Sequence, residues 1–161
     1  MTLMAAWLLL AVPCVKADTA VSAADQKFML AAAQGGMTEV KLGELAAQNG
    51  DRADVKDFGQ MMVRDHSAIN ADLKTLAAQK EVTLPDALDA KHQRLVNKLA
   101  ALSGPAFDDA YIAAMMKGHK MDAKAFKSES EATTDPDVKG FVDKSLRVVQ
   151  MHLDKIMTLR Q

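Results

Sequence analysis

Three histidines and a glutamate stand where apolar residues belong. Glu39, His66, His119 and His152 each interrupt an apolar helical repeat, one near the middle of each of four predicted helices. Apolar seams pack inward, so the four side chains are expected to meet inside the molecule. An unpaired polar group in a core costs several kcal/mol, on the order of 2–7. A single transition-metal ion would satisfy one carboxylate and three imidazoles at once. Iron, manganese, zinc and copper all accept such ligands. Asp122 lies one turn beyond His119 on the same face and Tyr111 lies two turns before it, and both are candidates for supporting or additional contacts. Met62 precedes His66 by four residues and Met115 precedes His119 by four. Thioethers beside imidazoles suit Cu(I), although Met at helical spacing is ordinary core filling. Asp65 points about 100° round the helix from His66 and reads as surface. His92, in the polar stretch Lys91-His92-Gln93-Arg94, reads as solvated.

These groups need four long helices to hold them. The first seam runs Phe28, Ala32, Gly35, Glu39, Leu42, Ala46, with Ser22 or Asp25 as its cap. Asn49-Gly50-Asp51 ends it. The second is Val55, Phe58, Met62, His66, Ile69, Leu73, Leu76, fading at Gln79-Lys80. A polar connector over residues 86–103 carries enough apolar residues for a short helix. Ser103-Gly104-Pro105 opens the third long helix, with seam Phe107, Tyr111, Met115, His119, Asp122, Phe126. Thr134-Asp135-Pro136 opens the fourth, with Val138, Phe141, Ser145, Val148, His152, Ile156, Leu159. The long helices are expected near 25–49, 52–80, 105–132 and 137–160. Asp54-Val55-Lys56-Asp57-Phe58 is echoed by Asp137-Val138-Lys139-Gly140-Phe141, each opening the second helix of a pair. Short links within pairs and a long link between them predict an all-α, ferritin-like four-helix bundle. It consists of two antiparallel hairpins joined by a long crossover, with the second and third long helices parallel. Gly35, Gly36 and Gly43 are expected to permit close helix packing.

Composition agrees. The 161 residues are 49% hydrophobic but only 4% aromatic, with 25% charged and a formal net charge of −1. Plentiful Ala and Met favour helices over strands. No basic excess is present to attract nucleic acid. No glycine-rich phosphate loop, G-x-S-x-G turn or C-x-x-C pair occurs.

The chain opens on a short apolar run, Leu3 to Val12, too short to span a bilayer. Val15-Lys16-Ala17 offers small residues before a cleavage point. Residues 1–17 therefore read as a secretory signal, 18–24 as a leader and 25–161 as the bundle, with no transmembrane segment in the mature chain and a periplasmic destination. Acylation at Cys14 is the rival reading, which Pro13 before it fits poorly.

Several phrases resemble a known family. Gly35-Gly36-Met37-Thr38-Glu39-Val40, Met62-Val63-Arg64-Asp65-His66, Met115-Met116-Lys117-Gly118-His119 preceded by Tyr111, and Met151-His152-Leu153 are similar to the family called domain of unknown function 4142. The resemblance covers roughly Asp25 to Leu159. It implies an exported bacterial protein with a ferritin-like bundle and brings no established activity. The outer-membrane label often given to that family finds no support in this chain, which lacks the alternating strands of a barrel.

A di-iron centre of the ferritin-like kind uses Glu-x-x-His on two helices. Here Val63 and Val149 stand three residues before His66 and His152, so no bridging carboxylates are available. The expectation is a mononuclear His3Glu site in an exported helical protein without assigned activity. The alternatives are a metal-free structural or envelope-stress protein acting through its surface, a copper protein using Met and His, and a mononuclear enzyme. Self-association and an unnamed protein partner remain open.

Overall fold

A computed structural model describes residues 20–160. The expected signal segment, its cleavage point after Ala17, and Cys14 lie outside the described residues. The described chain forms α1 (Ala23–Asn49), α2 (Ala53–Gln79), α3 (Ala90–Ala100), α4 (Gly104–Ala132) and α5 (Pro136–Leu159). No strand occurs among the described residues.

Local chemistry sets the boundaries. Ser22 caps α1 and exchanges hydrogen bonds with Asp25 in a capping box. Asp89 caps α3 by accepting from the backbone N–H groups of Lys91 and His92. Asp135 caps α5 through Asp137 and Val138, with Pro136 in the first turn. Gly104 opens α4 at a φ of +61°, a conformation that a side chain would resist. The start of α2 has no cap of its own. Asp108, buried in the first turns of α4, accepts from the N–H groups of Asp51 and Arg52 instead.

These cross-links fix the topology. The α1–α2 turn meets the start of α4 through Asp108, and Arg52 donates to the carbonyl of Leu159 at the end of α5. At the other pole Lys80, just past α2, bridges Asp135 and Asp137 at the start of α5. Hence α1 and α5 run one way and α2 and α4 the other. The hairpins α1–α2 and α4–α5 are antiparallel, and α2 and α4 are parallel across the bundle, with residues 80–103 as the crossover. This is the expected four-helix architecture. The connector lies along α1, held where Gln34 bonds both Ala87 and Asp89.

The α1–α2 crossing is close because glycines face it. A Cβ on Gly43 would sit 2.6 Å from the Gly59 carbonyl, and one on Gly59 would sit 2.6 Å from the Ala46 Cβ. Gly36 similarly leaves room for the Asn70 side chain. Gly35 differs from expectation, since a Cβ there meets nothing within 4 Å. The α1 seam also rotates by one residue in its first half. Met29, Ala33 and Gly36 are buried, and Phe28, Ala32 and Gly35 are partly so. Three neighbours, α2, α3 and α4, pack on α1, so its inward face is broader than a single seam.

The apolar core is divided. One cluster, around Leu42, Phe58, Met62, Phe107, Tyr111, Met115 and Ile156, fills the end holding the α1–α2 turn. The other, around Met29, Leu73, Phe126, Val138 and Phe141, fills the opposite end. Glu39, His66, His119, Ser145 and His152 are buried but belong to neither. A polar layer separates two oily halves.

Candidate metal centre

Each long helix contributes one member of this layer. Glu39 comes from α1, His66 from α2, His119 from α4 and His152 from α5. His119 and His152 have no solvent exposure, and His66 has 3%. The three imidazole centroids form a nearly equilateral triangle, with sides of 5.2 Å (His66–His152), 5.4 Å (His119–His152) and 5.6 Å (His66–His119). One ring nitrogen from each lies within 4.8 Å of one from each of the others. Phe58 packs edge-on against His119 and His152 from the apolar side.

Each ring is held from behind. His66 Nδ1 lies 2.9 Å from Glu39 Oε2. His119 Nδ1 lies 3.1 Å from the Met115 carbonyl, and 3.4 Å from Glu39 Oε1. His152 Nε2 lies 2.9 Å from Asp65 Oδ2. Carbonyls and carboxylates accept, so these ring nitrogens carry the hydrogens. The opposite nitrogens, His66 Nε2, His119 Nε2 and His152 Nδ1, are buried and have no hydrogen-bond partner.

Electrostatics keeps the rings neutral. Burial pulls His66 down to about 4, against the opposing pull of Asp122 and Asp65. Burial likewise lowers His119 and His152, outweighing the nearby charges of Glu39 and Asp65 respectively. A neutral imidazole with one N–H has a lone pair on its other nitrogen. The three unpartnered nitrogens are therefore three buried lone pairs.

Glu39 stands behind the rings, with one oxygen on His66 and the other toward His119. Its carboxyl is raised by burial, against the effects of His119 and of a hydrogen bond with Asp122. Asp122 is pushed up to about 8 by burial, then by the charge of Glu39 and that hydrogen bond. Two carboxyl groups bond in this way only when they share a proton, so the pair carries one negative charge rather than two. Tyr111 lies one layer away, stacked on Phe107 and edge-on to Phe58. Its hydroxyl is buried without a partner. Met62 and Met115 pack in the apolar cluster beside the layer. His92 pairs with Asp89 at the start of α3.

Asp65 is the contact of the histidine layer that its sequence position hid. It was expected on the surface, yet its side chain is only 19% exposed and lies against His152. The reason is that α2 packs on both α1 and α5. A residue about 100° from His66 still faces a neighbouring helix. Burial acts to raise Asp65, but hydrogen bonds from His152 and Arg64 hold it below its usual range.

The chain belongs to the family Domain of unknown function (DUF4142), whose model matches residues 11–159. No curated protein matches it. Among solved structures, the bundle is similar to a DUF305 fragment from Deinococcus radiodurans, with a TM-score of 0.76 at 9% identity, covering 87% of this chain and 97% of that one. It is also similar to CopM in its Cu(I)-bound form, with a TM-score of 0.70 at 18% identity, covering 83% of this chain and 93% of that one. The Ag-bound form of CopM gives 0.68 at 19% identity over the same shares. At these identities the likeness is one of fold.

Proposed function

We propose that this DUF4142 protein holds a single first-row transition-metal ion on His66, His119 and His152. The observation that carries the reading is the set of three unpartnered ring nitrogens. Three buried lone pairs with no donor among them are unfavourable, and one cation seated between them satisfies all three at once. Holding each metal-facing ring by its other nitrogen is also how metal-ligating histidines are oriented. Glu39, Asp65 and the Met115 carbonyl supply those acceptors. On this reading Glu39 is an orienting group rather than a fourth ligand.

Copper is the leading ion, ahead of zinc. Imidazole suits both, and Cu(II) heads the affinity order for nitrogen sites. The shared fold with CopM, whose structures include Cu(I)-, Cu(II)- and Ag-bound forms, supports the same choice. Met62 and Met115 are core residues on this reading and not ligands.

Binding rather than turnover is the role. The cavity bordered by His66, Glu39 and Asp122 has a volume of about 20 Å³. That admits about one water and no organic substrate. Val63 and Val149 stand where a Glu-x-x-His di-iron motif would place its carboxylates. Among the described residues no helix is long and apolar enough to cross a membrane. The apolar opening of the chain and its Val15-Lys16-Ala17 site support export to the periplasm, where N-terminal sequencing should find Asp18 first.

The test is an equilibrium titration of untagged protein with Cu(I), Cu(II) and Zn²⁺. One ion per chain is expected, with binding lost in His66→Ala, His119→Ala and His152→Ala. Equal binding by wild type and a triple variant would refute the reading.

A further inference from the structure

Two helix glycines have no packing reason to be glycine. A Cβ on Gly35 of α1 or on Gly118 of α4 would meet no neighbouring heavy atom within 4 Å. Glycine inside a helix is destabilising by about 0.5–1 kcal/mol relative to alanine. Gly43 and Gly59 explain themselves by a close crossing, and these two do not. Gly140 has the same freedom but lies on the exposed surface of α5.

Gly35 and Gly118 line one cleft. It has a volume of about 360 Å³ and is bounded by α1, α3 and α4. His92 and Leu95 of α3 and the exposed Met121 of α4 lie along it. Glu39 and Asp122 also line it. The small cavity beside His66 is bordered by Gly35, Glu39 and Asp122 as well. The two spaces therefore share three residues. One side of the paired carboxyls faces the solvent-connected cleft, and Glu39 on the other touches the hydrogen-bearing edges of His66 and His119, with the unpartnered nitrogens beyond those two rings. Glu39 has 10% side-chain exposure, and its Oε1 is buried without a hydrogen-bond partner.

We infer that this cleft is the entry channel for the metal ion, with Gly35 and Gly118 keeping it open and Glu39 and Asp122 acting as transit ligands. The inference rests on the triad reading and adds the route by which a cation reaches it. A bare or partly hydrated cation crossing an apolar wall would lose its oxygen ligands. Two carboxyl groups at the inner end of the cleft replace them. The imidazole of His92 and the thioether of Met121 offer softer donors farther out, which copper accepts and magnesium does not.

The channel predicts a separation of rate from affinity. A plug slows entry and exit equally and leaves the equilibrium unchanged. The experiment is stopped-flow loading of untagged protein with Cu(II) and with Zn²⁺, followed by extraction with a chelator. Gly35→Leu and Gly118→Leu each introduce a better helix former and fill the cleft. Both should slow loading and extraction tenfold or more, with stoichiometry and dissociation constant within threefold of wild type. Asp122→Asn should slow loading of both ions. Gly140→Leu should load at the wild-type rate. Unchanged rates in Gly35→Leu and Gly118→Leu with wild-type affinity would overturn the channel while leaving the triad standing. A wild type that takes up no metal would overturn both.

Discussion

His152 Nε2 and Asp65 Oδ2 lie 2.9 Å apart, and this bond joins α5 to α2 at the level of the triad. It sets which nitrogen of His152 carries the hydrogen and so which one faces His66 and His119. Loss of such an orienting partner lowers metal affinity by about 10–100-fold. Asp65→Ala should therefore weaken metal binding within that range, as measured by competition with a chromophoric chelator. Asp65→Asn keeps an acceptor oxygen and should lose less. Equal affinity in Asp65→Ala and wild type would show that His152 needs no such partner.

The glycine crossing gives a stability prediction independent of any metal. A methyl on Gly59 would lie 2.6 Å from the Ala46 Cβ and 2.8 Å from the Gly43 carbonyl. Overpacking of this kind costs about 1–3 kcal/mol. Gly59→Ala should lower the urea midpoint accordingly, whereas Gly140→Ala should raise or preserve it. A Gly59→Ala protein as stable as wild type would contradict the close approach of α1 and α2.

Asp108 supplies the cap that α2 lacks. Replacing it with Ala leaves the N–H groups of Asp51 and Arg52 without their acceptor. Each orphaned donor costs about 1–3 kcal/mol when buried, less where water reaches it. Thermal denaturation of Asp108→Ala should show the loss. Hydrogen exchange should quicken first at the start of α2. Unchanged protection there would rule out the cross-helix cap.

A carboxyl pair at the opposite pole makes stability depend on pH. Glu129 is pushed up to about 7 by burial, then by its hydrogen bond with Asp25 and that residue's charge. Its folded value lies above the unfolded one, so its stabilising effect is complete below about 4.5 and is lost as pH rises through about 7. Asp25 has the opposite sign. Burial acts to raise it, but hydrogen bonds with Glu129, Thr133 and Ser22 hold it below its usual value. Its contribution is present above about 3.9 and is lost as pH falls further. Unfolding free energies of wild type and Glu129→Gln, measured from pH 4 to 8, should diverge in slope. The wild type should lose stability relative to the variant between about 4.5 and 7. Parallel curves would contradict the pairing.

Much of this arrangement is legible in the sequence because helices announce their inner faces. Polar residues placed on apolar seams led directly to the layer containing Glu39, His66, His119 and His152. Turn residues located the helix ends, and link lengths indicated that α2 and α4 run parallel. What lies behind the rings was not legible. Whether Glu39 faces an ion or the back of His66 depends on side-chain direction within a single turn. Asp65 reads as surface because sequence gives one azimuth per helix, and α2 has two buried flanks. The Asp65-His66 dipeptide is the available signal. An acid beside a seam histidine, on a helix with neighbours on both sides, can orient a histidine of the next helix. Gly35 was expected to serve packing, and only the spatial arrangement separates it from Gly36 and Gly43.

X-ray absorption at the metal edge of copper-loaded, untagged protein tests the central claim most directly. Three imidazole nitrogens should coordinate one ion, at about 2.0–2.1 Å for Cu(II) or Zn²⁺ in sites of this kind. The multiple-scattering pattern of the rings should be lost in His119→Ala. A shell dominated by oxygen or sulfur, or an unchanged spectrum in His119→Ala, would contradict a centre built on His66, His119 and His152.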